Sequence, residues 1–217
     1  MSTLMYRGLQ LDSFQRQAIE YLQSGQSVLV AAPTGTGKTL VADWIVEEAM
    51  KNNKSVIYTA PIKALSNQKY RDYCELYGEE NVGLVTGDLV IRRDAPCKVM
   101  TTEILRNILL CEDQSAVSDL MAVIVDEIHF LDDPDRGTTW EEMLIYLPHH
   151  VQIVGLSATL QNLKEFANWL SHVRKSPVPI VEERQRAVPL SYHIACKQTN
   201  LVDVERAKEL LKGRKKR

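Results

Sequence analysis

Three short segments of this chain contain residue types that could hold a triphosphate and a divalent cation and could activate a water molecule. The first, residues 32–39, matches the phosphate-loop pattern GxxxxGK[ST], with Ala32 in place of the first glycine. Glycines in such a turn let the backbone wrap a phosphate, with amide N–H groups pointing inward. The lysine of the pattern contacts the β- and γ-phosphates, and the next hydroxyl is a magnesium ligand. The predicted nucleotide-binding residues are Thr34, Gly35, Thr36, Gly37, Lys38 and Thr39.

The second segment, Asp126-Glu127-Ile128-His129, follows the apolar run 122–125. A carboxylate that ends a strand beside a phosphate loop is placed to hold magnesium, usually through water, and we assign this role to Asp126. The adjacent Glu127 could orient and deprotonate the attacking water. A zinc protease would need His-Glu-x-x-His on a helix, and no second histidine stands at that spacing, so we exclude such a site.

The third segment, Ser157-Ala158-Thr159, ends another apolar run, and apolar runs alternate with helical patterns along most of the chain. Alternating strands and helices predict parallel βαβ units, and near-continuous apolar strands predict a sheet covered on both faces. Ligands of such sheets bind at the carboxyl ends of the strands, where all three segments lie. We expect strands at 28–32, 55–60, 82–85, 98–101, 122–126 and 152–157, and helices at 38–51, 64–76, 102–110 and 163–170.

Together with these segments, further short motifs in order resemble the superfamily 2 helicases of the DExH type, over about residues 9–190. Within that family the chain is most similar to the superkiller-type RNA helicases. The additional motifs are Phe14-Gln15 with Ala18-Ile19, residues 60–68, Thr86-Gly87-Asp88, Thr101-Thr102-Glu103, Arg136-Gly137 with Trp140-Glu141-Glu142, and Asn162 with Glu165-Phe166-Ala167 and Trp169.

The resemblance implies the N-terminal RecA-like domain of a helicase, an α/β P-loop NTPase that uses ATP and Mg²⁺. It implies Lys38, Asp126 and Glu127 as catalytic residues. Gln15 would hydrogen-bond the adenine edge. The residues implied to couple the γ-phosphate state to the grip on nucleic acid are His129, Ser157 and Thr159. Those implied to touch the sugar–phosphate backbone are Pro61, Lys63, Gly87, Thr101 and Thr102.

Two features depart from the family pattern. An aromatic residue that stacks on adenine often stands where this chain has Leu9. The chain also ends before the family's second RecA-like domain, which supplies arginine fingers and half of the nucleic-acid track. We therefore predict a RecA-like domain over residues 1–175 and an exit segment or linker over 176–217, leading toward a second RecA-like domain of the same polypeptide.

Three readings of function stay open at this point. The first is half of an ATP-driven helicase motor on single-stranded RNA. The second is the same motor on DNA, and the third is a non-catalytic module that binds RNA or protein under nucleotide control. The intact Lys38, Asp126 and Glu127 favour a motor over the third reading.

Composition excludes other classes of protein. A net charge of −2 argues against a wholly basic nucleic-acid coat. No run of eighteen apolar residues predicts a membrane span, and no signal peptide is recognisable at the N-terminus. The four cysteines lack CxxC spacing. We therefore expect reduced thiols and a cytoplasmic, reducing location.

Overall fold

The computed structural model of the chain describes residues 5–111, 117–128, 137–158, 162–186, 191, 193–196, 200–205 and 208. By contacts the chain divides into two compact units, Met1–Gln185 and Arg186–Arg217. No helix in the described ranges is both long and apolar enough to cross a membrane.

The first unit alternates strands and helices. Its strands are β1 (Met5–Tyr6), β2 (Leu9–Gln10), β3 (Val28–Ala31), β4 (Ser55–Ala60), β5 (Val82–Val85), β6 (Val90–Ile91), β7 (Cys97–Thr101), β8 (Leu120–Val125), β9 (Gln152–Ser157) and β10 (Ile180–Glu182). Its α-helices are α1 (Ser13–Gln23), α2 (Thr39–Lys51), α3 (Lys63–Tyr77), α4 (Thr102–Leu110), α5 (Gly137–Tyr146) and α6 (Leu163–Arg174).

Eight strands form one sheet in the order β10-β3-β9-β8-β4-β7-β5-β6. Neighbours pair in parallel except β6, which runs antiparallel to β5 at the edge. β3, β4, β5 and β9 are buried along their whole length. This explains their continuous apolar sequences, because a parallel sheet between two helical layers has no solvent-facing side.

Alternate strand residues pack into two cores, one on each face of the sheet. Val28 and Val30 of β3 pack with side chains of α1, α2 and α3, including the buried Tyr73. Leu29 and Ala31 of the same strand pack with side chains of α4, α5 and α6, including the buried Trp140. The predicted α/β fold, with a parallel sheet and helices on both faces, is therefore confirmed.

The sheet extends beyond residue 175, into the segment that sequence assigns to a linker. β10 pairs with β3, and Val181 is buried, as is Val178 just before the strand. Leu29 N donates a hydrogen bond to Pro179 O at 3.0 Å. Pro177 and Pro179 obscure this strand in the sequence, but an edge strand tolerates nearby prolines.

The second unit contains a hairpin. Its strands are β11 (His193–Cys196) and β12 (Asn200–Asp203), which pair antiparallel. Sequence alone indicates no strand here. The role of this segment as a linker toward another domain stays a prediction.

Candidate functional site

The predicted phosphate loop, residues 32–38, connects β3 to α2 at the carboxyl edge of the sheet. Gly35 and Gly37 have φ values of +86° and +82°, a left-handed conformation that glycine adopts without strain. The Thr36 hydroxyl donates a hydrogen bond to Pro33 O at 2.7 Å. The loop is therefore curved by its own residues, as a backbone cradle for phosphate requires.

Lys38 and Thr39 lie at the start of α2. Lys38 Nζ donates hydrogen bonds to the carbonyl oxygens of Ala32 and Pro33, which keeps the ammonium against the loop. The N-terminal N–H groups of α2 add partial positive charge at the same place. A lysine and a helix N-terminus together favour an anion there. Thr34 and Thr39 are both exposed, so their hydroxyls are accessible to a ligand.

Gln15 is buried and joins α1 to this loop. Its Oε1 accepts a hydrogen bond from Asp12 N at 2.9 Å, while its Nε2 donates to Gly37 O at 3.0 Å and Thr36 O at 3.4 Å. A Cβ at Gly37 would lie 2.7 Å from this nitrogen, so a larger residue there would have to displace the Gln15 amide, and the positive φ already favours glycine. The amide is thus engaged within the protein, and its predicted contact with adenine stays a prediction.

Asp126 and Glu127 follow β8, two strands away from β3. Asp126 Oδ2 accepts a hydrogen bond from the Tyr58 hydroxyl, and Oδ1 accepts one from Glu127 N at 2.9 Å. Burial, followed by the nearby Asp126 charge, raises the pKa of Tyr58 well above its ordinary value, so this hydroxyl remains a donor at physiological pH. Glu127 has a φ of +51°, which is uncommon for a residue with a side chain and recurs at functional sites.

Ser157 ends β9, between β3 and β8. Its carbonyl accepts a hydrogen bond from Ala32 N at 3.1 Å. Its Oγ is buried and has no hydrogen-bond partner within the described part of the chain. A buried hydroxyl without a partner favours an additional polar group at that point. His129 and Thr159, the other predicted coupling residues, lie outside the described residues.

The predicted nucleic-acid contacts follow the next strands along the same edge. Lys63 Nζ forms an ion pair with Asp88 Oδ1 at 3.0 Å, and both side chains are largely exposed. The Thr86 hydroxyl also donates to Asp88 Oδ1, at 3.0 Å. The hydrogen bond from Lys63, then that from Thr86, lowers the pKa of Asp88. Gly87 is exposed between these residues.

Three of the predicted nucleic-acid residues are instead buried. Pro61 follows β4, Thr101 precedes α4, and Thr102 begins that helix. The Thr102 Oγ1 is buried without a hydrogen-bond partner in the described ranges. These residues can offer a backbone phosphate little side-chain surface, whereas the N-terminal N–H groups of α4 suit an anion.

Sequence reasoning missed two residues of this edge. Tyr58 stands in an apolar strand, where an aromatic residue is ordinary core material. Asp88 belongs to the quoted motif Thr86-Gly87-Asp88, but nothing in its spacing indicates a bond to Lys63. In both cases only the order of strands in the sheet reveals the partner.

Comparison with known proteins gives a consistent result. A family model described as DEAD/DEAH box helicase matches residues 12–166. The antiviral helicase SKI2 of Saccharomyces cerevisiae is 44% identical over 204 residues, which are 94% of this chain and 16% of that protein. The DExH-box ATP-dependent RNA helicase DExH11 of Arabidopsis thaliana is 46% identical over 183 residues, 84% of this chain and 13% of that protein. The chain thus spans less than a fifth of the length of these two relatives.

Solved structures share the fold. The helicase Lhr of Mycobacterium smegmatis, bound to single-stranded DNA and AMP-PNP, superposes with a TM-score of 0.67 and 26% identity. That match covers 92% of this chain and 30% of the other. The DUF1998 helicase MrfA bound to DNA superposes with a TM-score of 0.69 and 23% identity, over 82% of this chain and 28% of the other. At that identity the MrfA likeness supports the fold alone.

Proposed function

Because the chain belongs to the DEAD/DEAH box helicases, we propose that it is the Mg-ATP-binding half of an ATP-driven helicase motor. One observation carries this proposal. Three adjacent strands, β3, β9 and β8, end in the curved loop with Lys38, in the buried Ser157 hydroxyl and in the Asp126–Glu127 pair. A triphosphate and its metal ion need such an arrangement of backbone N–H groups, a cation and carboxylates.

The residues at this edge fit Mg-ATP. The loop N–H groups and Lys38 would bind the phosphates, and ATP is the substrate. Magnesium would be held by the Thr39 hydroxyl, by Asp126 and by phosphate oxygens, and it would neutralise charge developing on the phosphates. Within the described ranges no three His, Cys, Asp or Glu side chains converge on a possible metal site. Magnesium bound with substrate phosphates needs no such cluster.

The two adjacent carboxylates would have different roles. Asp126 is held by two hydrogen bonds and would serve as a fixed acceptor near the metal. Glu127 would orient the attacking water and accept its proton. Ser157 would respond to the presence of the γ-phosphate, because its hydroxyl lies between the loop and Asp126 in the strand order.

The partner along the remaining edge would be a nucleic-acid backbone, with single-stranded RNA favoured over DNA. The relative DExH11, named as an RNA helicase and 46% identical, supports RNA. The DNA-bound Lhr structure, at 26% identity, keeps DNA as the second candidate. Lys63 and the α4 N-terminus would contact phosphates, which carry no base information. RNA and DNA share these phosphates, so a preference for RNA would need a contact to the 2′-hydroxyl, and equal affinity for RNA and DNA strands of one sequence would contradict such a preference in this domain.

We also propose that a second RecA-like domain follows the hairpin unit in the same polypeptide and closes over the ATP site. The relatives are five or more times longer than this chain, which leaves room for it. An arginine finger supplied from another domain is worth about 10³–10⁵ in phosphoryl-transfer rate. The chain alone should therefore bind Mg-ATP and hydrolyse it slowly.

Steady-state ATPase rates test this proposal. The chain alone should turn over slowly and respond little to single-stranded RNA, while the longer polypeptide from which we propose it derives should be fast and RNA-stimulated. Equal rates for the two would contradict the half-motor proposal. Absence of turnover in the longer polypeptide, with ATP still bound, would favour the non-catalytic module.

A further inference from the structure

We propose that Tyr58 is a positioning residue that holds the Asp126 carboxylate in the orientation needed for magnesium. The inference rests on the proposed function, since it concerns the metal of the same site. Its basis is a contact between residues 68 positions apart, made possible because β4 and β8 are neighbours in the sheet.

The Asp126 side chain is held at each of its oxygens. The Tyr58 hydroxyl donates to Oδ2, and Glu127 N donates to Oδ1 at 2.9 Å. The backbone is held as well, since Asp126 N donates to Thr59 O at 3.1 Å. A carboxylate with one donor can still pivot about that bond, whereas two donors at different oxygens fix both side-chain torsions. Tyr58 therefore supplies the second of two constraints.

The Tyr58 ring is itself held in place. The residue has no exposed surface, and its ring packs edge-to-face on Tyr73, with 5.5 Å between centroids and 85° between planes. Lys69 Nζ lies 5.2 Å from the Tyr58 centroid and 5.0 Å from that of Tyr73, within cation–π range of both. The hydroxyl therefore reaches Asp126 from a ring that cannot turn away.

Removing this hydroxyl should weaken metal binding without removing a ligand. Loss of a group that orients a metal ligand typically costs about 10–100-fold in metal affinity or activity. In Tyr58→Phe we expect the Mg²⁺ concentration that half-saturates nucleotide binding to rise about 10-fold. Nucleotide affinity without Mg²⁺ should be unchanged, because the Tyr58 hydroxyl is not one of the groups that we assign to the phosphates.

The test is a fluorescent ATP-analogue titration at a series of Mg²⁺ concentrations, with thermal melting to verify folding. The matched control is Tyr73→Phe, which removes a hydroxyl from the neighbouring buried ring that makes no hydrogen bond to Asp126. Asp126→Ala with and without Tyr58→Phe completes a double-mutant cycle. In the Asp126→Ala background, Tyr58→Phe should cause no further change in the Mg²⁺ dependence, because the carboxylate that it orients is gone.

The outcomes separate the two proposals. An unchanged Mg²⁺ dependence in Tyr58→Phe, an equal shift in Tyr73→Phe, or additive effects in the cycle would overturn the positioning role alone. A wild-type chain whose nucleotide binding ignores Mg²⁺ would overturn this role and the proposed function together.

A measurement on the unsubstituted ring covers the case in which Tyr58→Phe does not fold. The Tyr58 hydroxyl proton should give a slowly exchanging NMR signal that disappears in Asp126→Ala. Persistence of that signal in Asp126→Ala would contradict the bond on which the inference rests.

Discussion

Replacing Gln15 with glutamate should weaken nucleotide binding through the phosphate loop and not through the base. The substitution keeps the shape and the oxygen that accepts from Asp12 N. It removes the nitrogen that donates to Gly37 O and Thr36 O. At about 1 kcal/mol for each hydrogen bond, the loss is about 2 kcal/mol. If the loop must regain its shape to bind, affinity falls about 30-fold.

The assay compares ATP and GTP analogues on the same protein. Because the loop contacts phosphates, the affinity for both nucleotides should fall by the same factor. Gln17→Glu is the matched control, since Gln17 is exposed on the same helix and should bind both like the wild type. A loss confined to the adenine nucleotide would refute this reasoning and would show that Gln15 reads the base directly.

A pH series on the Gln15→Glu variant checks the same contact. A carboxylate facing two carbonyl oxygens in a buried site should have a raised pKa, because burial and those dipoles disfavour the charge. Because the pKa of this carboxyl is then higher in the folded than in the unfolded chain, the variant's loss of stability is complete above the folded pKa. The loss becomes smaller as the pH falls toward the pKa of the unfolded chain, about 4.3. The melting temperature of the variant should therefore approach that of the wild type on acidification, and a constant gap would contradict this sign.

Two further substitutions have defined expectations. Asp88→Asn removes the ion-pair partner of Lys63, so the affinity for single-stranded RNA should rise and its salt dependence should steepen by about one phosphate contact. An unchanged salt slope would show that Lys63 does not reach the nucleic-acid backbone. Arg174→Met should destabilise the fold by about 3–5 kcal/mol in denaturant unfolding, because the buried guanidinium donates to the carbonyls of Leu147, Pro148 and Val151. Lys164→Met, an exposed change on the same helix, is the control, and equal stability of the two variants would contradict this role.

The core strands were predictable because burial on both faces requires a continuous run of apolar residues. Ser55–Ala60, Val82–Val85 and Gln152–Ser157 were predicted with the bounds that the structure has. β10 was not, because a three-residue edge strand after Pro177 and Pro179 has too few residues to show a pattern. Strand length and position in the sheet therefore decided what sequence could reveal.

The residues of the candidate site also differ in how far sequence could predict them. The loop residues and Asp126–Glu127 were recognisable because their chemistry needs fixed residue types at fixed spacing. The bonds from Tyr58 to Asp126 and from Gln15 to Gly37 join residues 68 and 22 positions apart. Such contacts depend on which helices and strands become neighbours in the fold, and the local pattern of apolar and polar residues does not determine which elements these are.

The most direct test of the central claim is a titration of a fluorescent ATP analogue into this chain in the presence of Mg²⁺. Wild type should show saturable, Mg²⁺-dependent binding at one site. Lys38→Ala should lose most of that affinity, because it removes the cation held at the loop. Glu127→Gln should retain it, because we assign Glu127 to the water and not to the phosphates. Equal binding by all three proteins, or equal loss in the two variants, would contradict the assignment of this sheet edge as the ATP site.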